Sequence, residues 1–130
     1  MSASYSIDVD VARSIVRITM SGFFGPDDIG GFLARRKSVH ARLTCEPNMH
    51  CTITDTREMK IQSQDIVAMF QDMLADPAYR SRKLAFVTAP TLARPQLLRA
   101  IGSRGARVFD NHADAEAWVL AATVGDAAAA

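Results

Sequence analysis

The stretch YSIDVDVARSIVRITMSGFFGPDDIGGF, residues 5–32, decides the reading of the fold. Two β-type runs open it, YSIDVDV from Tyr5 and IVRITM from Ile15, with Ala12, Arg13 and Ser14 between them in a span that suits a hairpin. In the first, Tyr5, Ile7, Val9 and Val11 alternate with Ser6, Asp8 and Asp10; in the second, Val16, Ile18 and Met20 alternate with Arg17 and Thr19. Each strand therefore has one apolar face. SGFFGPDD then turns the chain into a helix, because Pro26 suits a first helical turn and Asp27 and Asp28 suit the positive end of its dipole. This helix is expected to run to about Leu43. Ile29, Phe32, Leu33, Val39 and Leu43 form its apolar stripe, Arg35, Lys37 and Arg42 face solvent, and Pro47 and Asn48 end it.

Outward from that stretch the chain repeats one rhythm, a short apolar strand followed by a helix. MHCTITDT, residues 49–56, carries Cys51 and Ile53 on one face and Thr52 and Thr54 on the other, and REMKIQ reads as the loop after it. Ser63 is a good N-cap for QDIVAMFQDMLAD, which stops before Pro77. KLAFVTA from Lys83 to Ala89, a helix from about Arg94 or Pro95 to Ile101, the strand ARVF and a helix from Asn111 or His112 to about Ala122 complete the order ββαβαβαβα. Strands alternating with helices imply crossovers of one hand and a five-stranded, mostly parallel α/β sheet. The first three strands each have one polar-leaning face, so the helices are expected mainly on one side. Winding that never reverses leaves strand order equal to sequence order. It also leaves no topological switch point of the kind that binds nucleotides.

With 130 residues the chain is read as one domain over residues 1–122, and VGDAAAA at its end reads as part of a disordered tail over 123–130. Hydrophobic residues make up 48%, charged residues 22%, and the mean hydropathy is +0.02, which excludes a disordered or fibrous chain. Two cysteines are too few for a disulfide framework, the N-terminus lacks a signal-peptide pattern, and no apolar run is long enough to span a bilayer, so a cytoplasmic, non-transmembrane protein is expected. A net charge of +1 excludes a globally basic nucleic-acid binder. That total conceals an uneven distribution: Arg80, Arg82, Lys83, Arg94, Arg99, Arg104 and Arg107 fall in one segment without a single acid.

The stretch RVFDNHADAEAWV, Arg107 to Val119, resembles the closing strand, acidic turn and helix of the SpoIIAA-like family, whose fold is shared by STAS and Sec14-like domains. GFFGPDDIGGF, residues 22–32, and TDTREM, residues 54–59, support the resemblance, which spans about Tyr5 to Ala122. It implies a sheet wound one way and a non-catalytic role in binding proteins or apolar and anionic small molecules. It also implies a candidate phospho-acceptor at Ser63, eight residues after Asp55, although QSQD stands here where regulatory members carry D-S-S-G.

Chemistry-bearing candidates are few. Cys45-x5-Cys51 is not a zinc-ribbon spacing, and His50 and Cys51 point to opposite faces of a strand, so no metal or other cofactor is expected. No G-x-S-x-G occurs and no acid/base pair stands out at fixed spacing, so an enzyme is not expected. Met59, Met69, Phe70 and Met73 are either core or the wall of an adaptable apolar groove. Arg80, Arg82, Lys83, Arg94, Arg99 and Arg104 are either solvated surface or an anion-binding edge. The expected function is a protein-interaction or regulatory module, with a small carrier of a lipid or apolar anion as the alternative. Thr52 and Thr54 could face a second subunit in a homodimer.

Overall fold

Pairing between the first two strands sets the register of the whole sheet. The protein is described by a computed structural model over residues 2–102 and 105–121. In it, β1 (Ser4–Asp10) lies antiparallel to β2 (Ile15–Gly22), matching Tyr5 to Met20, Ile7 to Ile18 and Val9 to Val16. Apolar residues thus sit opposite apolar residues, the arrangement in which cross-strand pairs stabilise a hairpin. β3 (Cys51–Met59), β4 (Lys83–Val87) and β5 (Arg107–Phe109) add in parallel, giving the order β1-β2-β3-β4-β5. Four α-helices occur among the described residues: α1 (Pro26–His40), α2 (Gln64–Ala75), α3 (Ala93–Ile101) and α4 (His112–Leu120). The expected ββαβαβαβα order and sequential sheet are therefore both present.

The register decides what each face of the sheet offers. Val16 and Ile18 stand beside Thr52 and Thr54, which stand beside Leu84 and Phe86, and α1, α2 and α3 cover this face. Ile15, Cys51, Ile53, Ala85 and Val87 form the opposite face, against Ala115 and Val119 of α4. The expectation that Thr52 and Thr54 lie on an open face is corrected here. They are 6% and 5% exposed, covered by helices of their own chain, so they offer no surface to a second copy. The reason is that β3 is out of phase in polarity with its neighbours: its threonines share a face with the apolar residues of β2, and its apolar residues share one with Arg17 and Thr19.

Two boundaries also differ from expectation. α1 ends at His40, because bonds from the Arg42 N–H to Val39 and from the Leu43 N–H to His40 tighten the chain out of helical phase. Leu43 still packs on the core. β3 continues through the expected loop to Met59, pairing Glu58 with Ser21 and Met59 with Gly22 beyond a bulge. Strict alternation from Thr52 would send Met59 to the α4 face; the extra residue returns it to the face of α1–α3. The partner of Met59, Gly22, has φ +81° and sits where a Cβ would collide with the Ser2 carbonyl oxygen, so only glycine fits.

The two faces are packed differently. Ala115 of α4 and Ala85 of β4 are both fully buried, and these small side chains let α4 approach β3, β4 and β5 closely. α2 and α3 make their close backbone approach to each other, held off the sheet by Phe70, Met73, Leu74 and Leu97. Space is left beneath them.

Candidate functional site

That space is a cavity of about 120 Å³ between the threonine-bearing face and the helices. Thr52, Thr54 and Thr56 form a stripe along its floor, and Phe70, Met73 and Leu97 contribute to its roof. One end lies where β3 and β4 begin, near Arg36, His40, Tyr79, Arg80 and Ser81. The other lies where those strands end, near Lys60, Thr88 and Arg94. Its charged walls are Arg36, Lys60, Arg80 and Arg94 against a single acid, Asp76.

Arg36 is the most unusual of these groups. It sits on the apolar stripe of α1, one turn beyond Phe32, and is 9% exposed. Its guanidinium lies 3.9 Å from the centre of the Tyr79 ring, Nη1 is 3.5 Å from the Met73 carbonyl and Nη2 is 3.8 Å from Asp76. Nε is buried and has no hydrogen-bond partner among the described residues. Burial pushes its pKa down, with Tyr79 and Asp76 opposing that shift. A buried cation this thinly partnered is costly unless something else supplies negative charge. Thr88 Oγ1, at the far end of the cavity, is likewise buried and unpartnered among the described residues. No other described side chain that is not exposed holds a polar atom so buried without a partner.

Histidines complete the Arg36 end. His40 packs edge-on to His50 at 4.7 Å and to Tyr79 at 4.9 Å between ring centres. Burial, then the neighbouring His50 and Arg36, hold the pKa of His40 down at about 4. His50 is also pushed down by burial, against a hydrogen bond with the Tyr79 backbone. Its Nε2 lies 3.3 Å from Ser81 Oγ, which is 2.6 Å from Thr52 Oγ1. Both rings are therefore neutral at pH 7, and the arginines supply the positive charge.

The structure places the residues singled out in the sequence as follows. Met59, Phe70 and Met73 line the cavity, whereas Met69 packs instead against the core beneath α1 and α2. Arg80 and Arg94 reach its two ends. The remaining cations do not join them in one basic edge, because strand alternation and helical phase scatter them. Lys83 is buried on the α4 face, where Nζ donates to the Trp118 and Ala121 carbonyls and so caps that helix. Arg82 lies 3.4 Å from Cys51 Sγ, Arg99 is exposed on α3, and Arg107 lies over Phe109 and Trp118. Arg104 and the tail 123–130 lie outside the described residues.

Ser63 is the N-cap of α2, its Oγ accepting from the Ile66 N–H at 3.3 Å. Ser63→Ala is expected to cost about 1 kcal/mol in urea denaturation. On the α4 face, Asp55 accepts from Arg57 at 2.8 and 3.0 Å and lies 2.9 Å from His112 Nε2, a pairing across 57 positions. Burial opposes ionisation of Asp55, but the Arg57 and His112 bonds outweigh it and hold its pKa at about 2. Arg36, His40, Thr88 and Gln62 escaped sequence reasoning. A cation in the middle of an apolar helical stripe was the one available signal, and it marked Arg36.

A five-stranded sheet in sequence order, with three helices over a cavity on one face and one helix on the other, defines a SpoIIAA-like α/β domain. The comparison of structures agrees. The chain is similar to an uncharacterized protein of the DUF3478 family with a SpoIIAA-like fold from Shewanella loihica PV-4, at a TM-score of 0.67 and 12% identity over 91% of this chain and 93% of that one. No family model matches the sequence, and no curated protein matches it significantly. The likeness establishes the fold. No helix among the described residues is long and apolar enough to cross a membrane.

Proposed function

We propose that this STAS-like domain is a non-catalytic binding module that holds a small apolar anion in the cavity beneath α2 and α3. The observation that carries the reading is Arg36, a buried guanidinium with an unpartnered Nε beside a cavity whose floor is a threonine stripe and whose roof includes phenylalanine, methionine and leucine. A carboxylate would pair with that group in largely apolar surroundings, where a charge-assisted hydrogen bond is stronger than in water. Size narrows the choice. A cavity of about 120 Å³ is on the scale of those that admit benzene, roughly 150 Å³, and is far too small for the two chains of a phospholipid. The ligand is a single short apolar body with an acidic head.

Titration calorimetry with octanoate tests this. Wild-type protein should bind it, and Arg36→Met, which keeps the apolar stem, should weaken binding by tenfold or more while leaving the circular dichroism spectrum unchanged. Octanoate binding of equal strength in wild type and variant would sink the carrier reading.

A protein-interaction role is the second reading, favoured by Phe23, Ile61 and Leu92. These residues are 46%, 50% and 83% exposed, and they follow the ends of β2, β3 and β4, at the same end of the sheet as Ser63. If the cavity proves unable to hold an acid, that apolar rim is the better guide to function.

A further inference from the structure

We infer that the ligand is a linear dicarboxylate, gripped by a cation at each end of the cavity. The inference rests on the carrier reading above and adds to it the chemistry of the far end. Two polar atoms, Arg36 Nε and Thr88 Oγ1, are buried without partners among the described residues, and they belong to side chains that line opposite ends of the same cavity. A monoacid would satisfy the first and leave the second facing a methyl group. Thr88 is 3% exposed, so solvent does not reach its hydroxyl. Buried polar groups are nearly always paired, and two exceptions in one cavity indicate a ligand that is polar at both ends.

Charge distinguishes an acid from an alcohol at the second end. Lys60, at the end of β3, and Arg94, in the first turn of α3, both line the cavity there. Asp110 answers Arg94 only at 4.0 Å and from an exposed position. A carboxylate would thus meet two cations and a hydroxyl, while the first carboxylate meets Arg36 and Arg80. Asp76 is the one acid in the walls and is engaged at the Arg36 end.

Length follows from the floor. Thr52 and Thr56 mark the two ends and are four residues apart on β3, or ~13 Å at the rise of a parallel strand. An extended diacid on the order of suberate fits that span. Its methylene chain lies over the threonine stripe, and only that chain has to occupy the enclosed volume.

The test compares suberate with octanoate, acids of equal carbon number, by titration calorimetry on the full chain. Suberate should bind at least tenfold more tightly. In Lys60→Met/Thr88→Val/Arg94→Met the suberate affinity should fall to that of octanoate, and octanoate binding should stay unchanged. Octanoate binding as tightly as suberate to wild-type protein would overturn the dicarboxylate inference and leave the carrier reading standing. A suberate preference that survives in the triple variant would overturn it as well. Failure of both acids to bind would remove the carrier reading itself.

Discussion

Gln62→Leu should destabilise the protein by roughly 3 kcal/mol, because one buried amide ties the segment that follows β2 to the loop that follows β3. Gln62 is 6% exposed. Its Oε1 accepts from the Phe24 N–H at 2.8 Å, and its Nε2 donates to the carbonyls of Gly22 and Lys60. The backbone of Gln62 is bonded in both directions by the Gln96 side chain, at 2.7 and 2.8 Å, which ties α3 to the loop after β3. Leucine preserves the volume and the Gln96 bonds but strands the Phe24 N–H and the Lys60 carbonyl, while the Gly22 carbonyl keeps its bond from the Lys60 N–H. Leaving a buried donor or acceptor unsatisfied costs about 1–3 kcal/mol, so two such groups span about 2–6 kcal/mol, and partial relaxation keeps the sum in the lower half of that range. Urea denaturation of Gln62→Leu beside Gln62→Glu separates packing from hydrogen bonding. Wild-type stability in the leucine variant would show that these bonds contribute nothing net.

Acidification is the second large perturbation. The pKa of His40 is about 4 in the folded protein against an ordinary 6.5, so folding favours its neutral form. The corresponding stability is fully present above pH 6.5 and is lost as the pH falls from 6.5 towards 4, where the unfolded chain binds the proton first. His50 is shifted in the same direction and adds to the loss. After allowance for partial solvent screening, His40 accounts for on the order of 2 kcal/mol. Asp55 follows at lower pH. With a pKa of about 2 against 3.8, its contribution holds above pH 3.8 and disappears as the pH falls towards 2. Denaturant midpoints at pH 7, 5.5 and 4.5 should therefore decline for wild-type protein and much less for His40→Gln. A flat profile in the wild type would show that the His40 and His50 rings do not resist protonation.

Much of the architecture was legible because it depends on local pattern. Alternation in residues 5–20 specifies the hairpin and its apolar face, and the spacing of strands and helices after it specifies a sheet in sequence order. Ser63 was identifiable as a cap from the apolar run that follows it. Register was not legible. Nothing in CTITDT says whether its threonines share a face with Val16 and Ile18 or with Arg17 and Thr19, and that one choice places a polar stripe under the helices. Pairings across long separations were equally hidden, as between Asp55 and His112 or between Phe24 and Gln62. The cavity depends on both. Met59, Phe70 and Met73 were recognisable as groove material, but the atoms that give it chemical character, Arg36 Nε and Thr88 Oγ1, stand out only once their lack of partners can be seen.

The sequential order of the strands bears on how the molecule comes together. Each strand pairs with the one synthesised just before it, so the sheet can lengthen from its β1 edge in step with translation, and no strand waits for a later one to be inserted beside it. Pairing between successive strands limits each closure to a single strand–helix crossover, and its entropic cost grows only slowly with the length of that crossover. α4 is the exception. Its Glu116 reaches back 99 positions to Arg17 and its His112 reaches back to Asp55, so α4 is the clasp that joins a late-made part of the sheet's cover to a much earlier strand.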